Sequence, residues 1–128
     1  MRKFTRVGLA GLMAVGIIAS APHAFAAPRQ GIVFTGNCSG ASTWKLTLSI
    51  DNGQVQSEFE VESQVNNQTW NVRMLDNGLL FFKGKASTGQ IGSFTVTKFT
   101  PDQSGTDNIL AQAKNKATGE TCMGSGSI

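Results

Sequence analysis

Thr43-Trp44-Lys45-Leu46-Thr47-Leu48-Ser49-Ile50-Asp51-Asn52-Gly53-Gln54-Val55-Gln56-Ser57-Glu58-Phe59-Glu60-Val61 alternates apolar and polar side chains on both sides of an Asp-Asn-Gly turn. Strict period two marks a half-buried strand, and Asn-Gly between two such runs is a strong short-range hairpin signal. Pairing Ile50 with Val55 sets Trp44 opposite Val61 and Leu46 opposite Phe59 on the inner face, and Lys45 opposite Glu60 on the outer one. Both faces agree on one register, which supports the hairpin more than either strand alone.

The same device recurs around Asp76-Asn77-Gly78, between residues 69–75 and 79–86. With all three as turn residues, Leu75 faces Leu79, Met74 meets Leu80, Val72 meets Phe82, and Trp70 lies across Gly84, which has no side chain. That register predicts Trp70, Val72, Leu80 and Phe82 in the core. Leu79-Leu80-Phe81-Phe82 is continuously apolar, however, so one pair must face outward or be covered. The outward set is Leu75, Leu79 and Phe81, bordered by Arg73, Lys83 and Lys85, an apolar centre with a basic rim, which is the composition of a partner surface. A covering loop or N-terminal segment is the alternative.

Further strands are expected at 31–38, 93–99, 107–113 and 120–127, and no window of helical length shows a 3.6-residue period. The reading is all-β, with about seven to eight short strands spaced for an antiparallel sandwich. Residues 27–30 and the Gly-Ser-rich 124–127 are expected to fray, with Cys122 holding the latter close.

Residues 1–26 read as an export signal: Arg2, Lys3 and Arg6 precede an apolar run at 7–19, and Ala24-Phe25-Ala26 satisfies the small-x-small rule for cleavage before Ala27. The apolar run falls short of the roughly 20 residues that span a bilayer. The folded product is then a single domain at 27–128, released to the outside. Of the eleven basic side chains, three leave with the signal, so eight remain against eight acidic ones. A domain of near-zero net charge has little with which to neutralise phosphates, which argues against nucleic acid or an anionic membrane as the main partner. The only histidine, His23, also leaves with the signal, which excludes Ser-His-Asp, Cys-His and His-metal chemistry.

Cys38 and Cys122 allow one pairing, and export to an oxidising compartment makes a disulfide the expected state. Closing their 84-residue separation contributes up to about 4.5 kcal/mol by chain entropy. The pair lacks the C-x-x-C spacing of a redox site.

Two stretches resemble the immunoglobulin-like superfold: Trp70-x-Val72 with Asp76-Asn77-Gly78 resembles its core-tryptophan strand and following turn, and residues 107–115 with Gly119 resemble its last hairpin. The cysteines depart from it. The inter-sheet bridge of antibody-type domains would need them near Phe59 or Val61 and near Ala111 or Ala113, whereas here the bridge ties the first strand to the last. The whole domain also resembles small secreted single-domain proteins of actinobacteria, through Cys38-Ser39-Gly40, residues 70–78 and Thr118-Gly119-Glu120-Thr121-Cys122. The resemblances imply an immunoglobulin-like antiparallel β-sandwich and export, and they transfer no site.

Candidate chemistry is sparse. Glu58, Glu60 and Glu62 project from one face of one strand about 7 Å apart, a spacing compatible with two carboxylates flanking a glycosidic bond. A flat strand supplies no cleft to raise one pKa, so the row reads as a solvated face, with cation or basic-partner binding as the alternative. Neither Asp-Asn-Gly triplet continues into the ligand pattern of an EF-hand loop, and both read as turns. Asn37-Cys38-Ser39 and Asn67-Gln68-Thr69 match the glycosylation acceptor and are read as unmodified on the bacterial resemblance. Trp44 and Trp70 fall in phase with the inner faces of their strands and read as core rather than sugar-stacking rings. No cofactor or metal is expected.

These readings converge on a secreted, non-enzymatic module that binds an extracellular protein or glycan through a sheet face or loops, with weak self-association. An antibacterial protein or an inhibitor of an extracellular enzyme is the alternative. The mature protein is expected to show no free thiol when unfolded without reductant, and reduction is expected to lower its melting temperature sharply. Titration of two thiols in the native secreted form overturns the pairing.

Overall fold

A computed structural model describes Gly16 and residues 31–128. The expected signal at 1–26, Gly16 aside, and the expected frayed segment at 27–30 lie outside the described residues. Eight strands follow in order: β1 (Ile32–Asn37), β2 (Thr43–Asp51), β3 (Gln54–Glu62), β4 (Thr69–Asp76), β5 (Leu79–Ser87), β6 (Ser93–Pro101), β7 (Asn108–Asn115) and β8 (Thr121–Ser127). They form two four-stranded antiparallel sheets, β1-β2-β3-β6 and β5-β4-β7-β8. The order β2-β3-β6 reproduces the A-B-E strands of an immunoglobulin sheet, and β4-β7-β8 its C-F-G strands, with β1 added outside the first and β5 outside the second.

The β2–β3 hairpin has the register that its alternation dictates. Trp44 pairs with Val61, Leu46 with Phe59, Lys45 with Glu60 and Ile50 with Val55, and Asp51–Gln54 closes a two-residue loop. Asn52 and Gly53 both take positive φ, 50° and 73°, the type I′ geometry whose twist matches that of the flanking strands. Inward side chains from both sheets make one core containing Leu46, Leu48, Phe59, Trp70, Val72, Met74 and Ile109. The Trp70 ring sits 6.0 Å from Phe94 at a tilt of 51°, joining the β4 centre of one sheet to β6 of the other. At the far edge, Lys98 on β6 places its Nζ 4.5 Å from the Phe82 ring centroid on β5.

The second hairpin corrects the expected register. Asn77 and Gly78 alone form the loop, again with positive φ, 48° and 84°, and Asp76 pairs with Leu79. Leu75 then pairs with Leu80, but Met74 pairs with Phe82, so Phe81 is the extra residue of a β-bulge. Beyond it Val72 faces Gly84 and Trp70 faces Ala86, two residues from the expected partner. The shift reassigns three side chains. Leu80, expected in the core, is 55% exposed, and Phe81, expected outside, packs against the core beside Phe82. Leu79, expected on the outer face, pairs with the inward Asp76 and is 70% exposed at the turn.

The C-terminal tail is likewise a correction. Residues 124–127 belong to β8, and Asp107 and Ile128 exchange backbone hydrogen bonds that fix its end. Its glycines are sites of close approach: a Cβ on Gly124 would lie 2.8 Å from the Phe59 ring, and one on Gly126 would lie 2.4 Å from the Phe34 ring. The Cys38–Cys122 disulfide, with Cα atoms 4.3 Å apart, ties the end of β1 to β8 along the same seam. The β1–β2 loop is clipped to the last hairpin as well, since Glu120 accepts hydrogen bonds from the Ser42 backbone N–H (3.1 Å) and hydroxyl (2.6 Å).

Phe59 is fully buried and Phe81 and Phe82 are half-buried. Phe59→Ala is expected to cost about 3–5 kcal/mol. Phe81→Ala and Phe82→Ala are expected to cost similar, smaller amounts of about 1–3 kcal/mol each. Denaturant unfolding measures all three, and a Phe81→Ala variant as stable as the parent would remove the bulge assignment.

Candidate functional site

The outer face of the β5-β4-β7-β8 sheet is built from three cross-strand rows. Lys85, Asn71, Lys114 and Thr121 form the first, and Lys83, Arg73, Gln112 and Met123 the second. Leu80, Leu75, Leu110 and Ser125 form the third, at the turn end of the β4–β5 hairpin. Each row crosses four strands about 4.8 Å apart, and successive rows are about 7 Å apart along the strands. The face is therefore divided into a cationic half and a leucine half.

Arg73, Lys83 and Lys85, expected here, are all exposed, and Lys114 on β7 joins them. The four cations line a depression of about 690 Å³ whose lining contains no carboxylate. Arg73 stands directly opposite Lys83, and like charges in that position destabilise a sheet. Among the described residues no carboxylate lies within ion-pairing distance of any of the four. Arg73 is held instead by its Nε, which donates to Gln112 Oε1. Of the expected apolar set, Leu75 stays on this face and half-buried, Leu79 is exposed at the turn opposite the inward Asp76, and Phe81 is half-buried against the core. Leu80 and Leu110 take its place beside Leu75.

Lys114, Gln112 and Leu110 were not singled out from the sequence. Period two in 108–115 fixes them as the outward set opposite Ile109, Ala111 and Ala113. Their membership of this face depends on β7 pairing with β4, a contact between segments more than thirty residues apart.

The outer face of the other sheet has the opposite sign. Glu58, Glu60 and Glu62 project from β3 in successive rows, with Lys45 of β2 placing its Nζ 3.8 Å from Glu60 Oε1. Thr95 of β6 donates its hydroxyl to the second oxygen of Glu60 at 3.5 Å. Phe99, 50% exposed, follows on β6 toward the Pro101 end. At that same end of the molecule a hydrogen bond between the carboxyls of Asp102 and Asp107, aided by burial and their mutual repulsion, holds the Asp102 carboxyl above its ordinary value. Asp76, which closes the inner side of β4 here, is buried, and neither carboxylate oxygen has a hydrogen-bond partner among the described residues. Comparison of the chain with protein-family models and with curated proteins finds no match.

Proposed function

We propose that this protein is a secreted, non-enzymatic binding module that engages its partner through the outer face of the β5-β4-β7-β8 sheet. The observation that carries the reading is the cluster of Arg73, Lys83, Lys85 and Lys114, unneutralised by any carboxylate of the described chain and bordered by Leu75, Leu80 and Leu110. A free surface gains nothing from placing Arg73 opposite Lys83, and departures from local stabilisation of this kind belong to sites that work on something else. Apolar centre and cationic flank together supply the two parts of an interface, area removed from water and orientation by charge. The disulfide of β1 to β8 and the leader-like residues 1–26 support export to an oxidising compartment.

A photo-crosslinking residue placed at Gln112, on the floor of this face, is expected to capture a discrete adduct from native culture fluid. The same residue placed at Ser104, in the exposed β6–β7 loop, is expected to capture none. Equal labelling from both positions, or none from Gln112, removes the face as the binding surface.

A further inference from the structure

The two outer faces are opposite in sign and matched in order along the strands. On the β5-β4-β7-β8 sheet the leucine row at Leu80–Leu75–Leu110 is followed by the rows of Arg73 and Lys83 and then of Lys85 and Lys114. On the β1-β2-β3-β6 sheet, Phe99 is followed by the rows of Glu58, Glu60 and Glu62. Both apolar ends lie at the same end of the molecule. Asn77, in the turn next to Leu75 and Leu80, donates to the Gln103 side chain (3.4 Å), and Gln103 follows closely on Phe99 and Pro101.

The strands also correspond across the sandwich: β6 packs over β5 at one edge, and β1 and β2 over β8 at the other. A second copy displaced along the normal to the sheets therefore brings its β6 toward β5 and its β3 over the central strands β4 and β7. Phe99 then meets the leucine row, and the carboxylates of β3 meet Arg73 with Lys83 and Lys85 alongside. Lys45, the cation of the acidic face, is already tied to Glu60. The near-zero net charge leaves no long-range repulsion between copies to oppose the contact.

From this complementarity we infer that the partner of the cationic face is the acidic face of a second copy of this chain, so that the domains stack head to tail. The inference rests on the reading of the cationic face as a binding surface and names its occupant. The two patches differ, so the contact is heterologous, and repetition of one displacement gives an open-ended stack rather than a closed dimer. Neighbouring sheets would meet as the two sheets of one sandwich do, with strands within about 30° of each other.

Sedimentation of the purified mature protein tests this without any other molecule. Oligomers that grow with concentration are expected at about 0.01 M salt, where charges act over about 30 Å, and monomer at about 1 M, where they act over about 3 Å. The pair Lys83→Glu with Lys85→Glu, and separately Glu58→Lys with Glu60→Lys, should each weaken assembly at least about tenfold, because each reversed side chain then faces like charges in place of opposite ones. An equimolar mixture of the two variants restores it, since each reversed face finds its reversed partner. Thermal melts establish that both variants are folded, and the salt series on the parent stands without them. A parent monomeric in low salt, oligomers indifferent to salt or present in both variants, or a mixture that stays dissociated overturns the stacking. If the Gln112 crosslink still captures a different molecule, the binding face survives and only its occupant changes.

Discussion

Aromatic rings of one sheet resting on glycines of the other set how closely the two layers approach, and the rest of the molecule is arranged around that seam. Phe59 and Trp44 lie against Gly124, and Phe34 against Gly126, with no room for a Cβ at either position. The Cys38–Cys122 bridge fastens the same edge, in a strand that alternates between these glycines and exposed residues. The disulfide takes entropy from the unfolded chain, while the ring-on-glycine contacts hold the native spacing. Together they allow Thr121-Cys122-Met123-Gly124-Ser125-Gly126-Ser127, a poor strand by propensity, to serve as an edge of the sandwich.

With the layers fixed at that spacing, the charged residues are sorted to opposite outer surfaces. The near-zero net charge of residues 27–128 describes the sum and conceals the distribution: one outer face carries Arg73, Lys83, Lys85 and Lys114, the other Glu58, Glu60 and Glu62. Net charge alone describes the protein as a point, whereas a partner within a Debye length feels one face at a time. The single ion pair among the described residues, Lys45–Glu60, lies within the acidic face, so neither surface neutralises the other there.

What the sequence disclosed follows from how local each signal is. The β2–β3 register was legible because apolar alternation, opposite charges and an Asn-Gly turn all point to one pairing. The cationic face was half legible: Arg73, Lys83 and Lys85 belong to one hairpin, but Lys114 arrives through the β4–β7 pairing, which no local pattern encodes. The tail at 124–127 reads as frayed on composition, and only the rings of the opposite sheet make its glycines structural. Phe81 was misplaced because four consecutive apolar residues carry no alternation from which a face can be read.

That apolar run is also where the fold resolves a conflict between turn and face. The two-residue Asn77-Gly78 loop aligns Leu79 with Asp76 and Leu80 with Leu75; continued without interruption, it would set Lys83 against Val72 and Lys85 against Trp70, inside the core. A one-residue slip inverts every side chain beyond it, so two buried ammonium groups would oppose the turn that the chain prefers. The bulge at Phe81 absorbs the extra residue and restores the parity, placing Lys83 beside Arg73 and Lys85 beside Asn71 on the outer face. A three-residue turn would restore the same parity, which is why the outward lysines are predictable from either register while their partners are not. The bulge alone, however, leaves Leu80 beside Leu75 and draws Phe81 onto the core, so the leucine row and the cationic rows of the proposed binding face are products of one backbone irregularity.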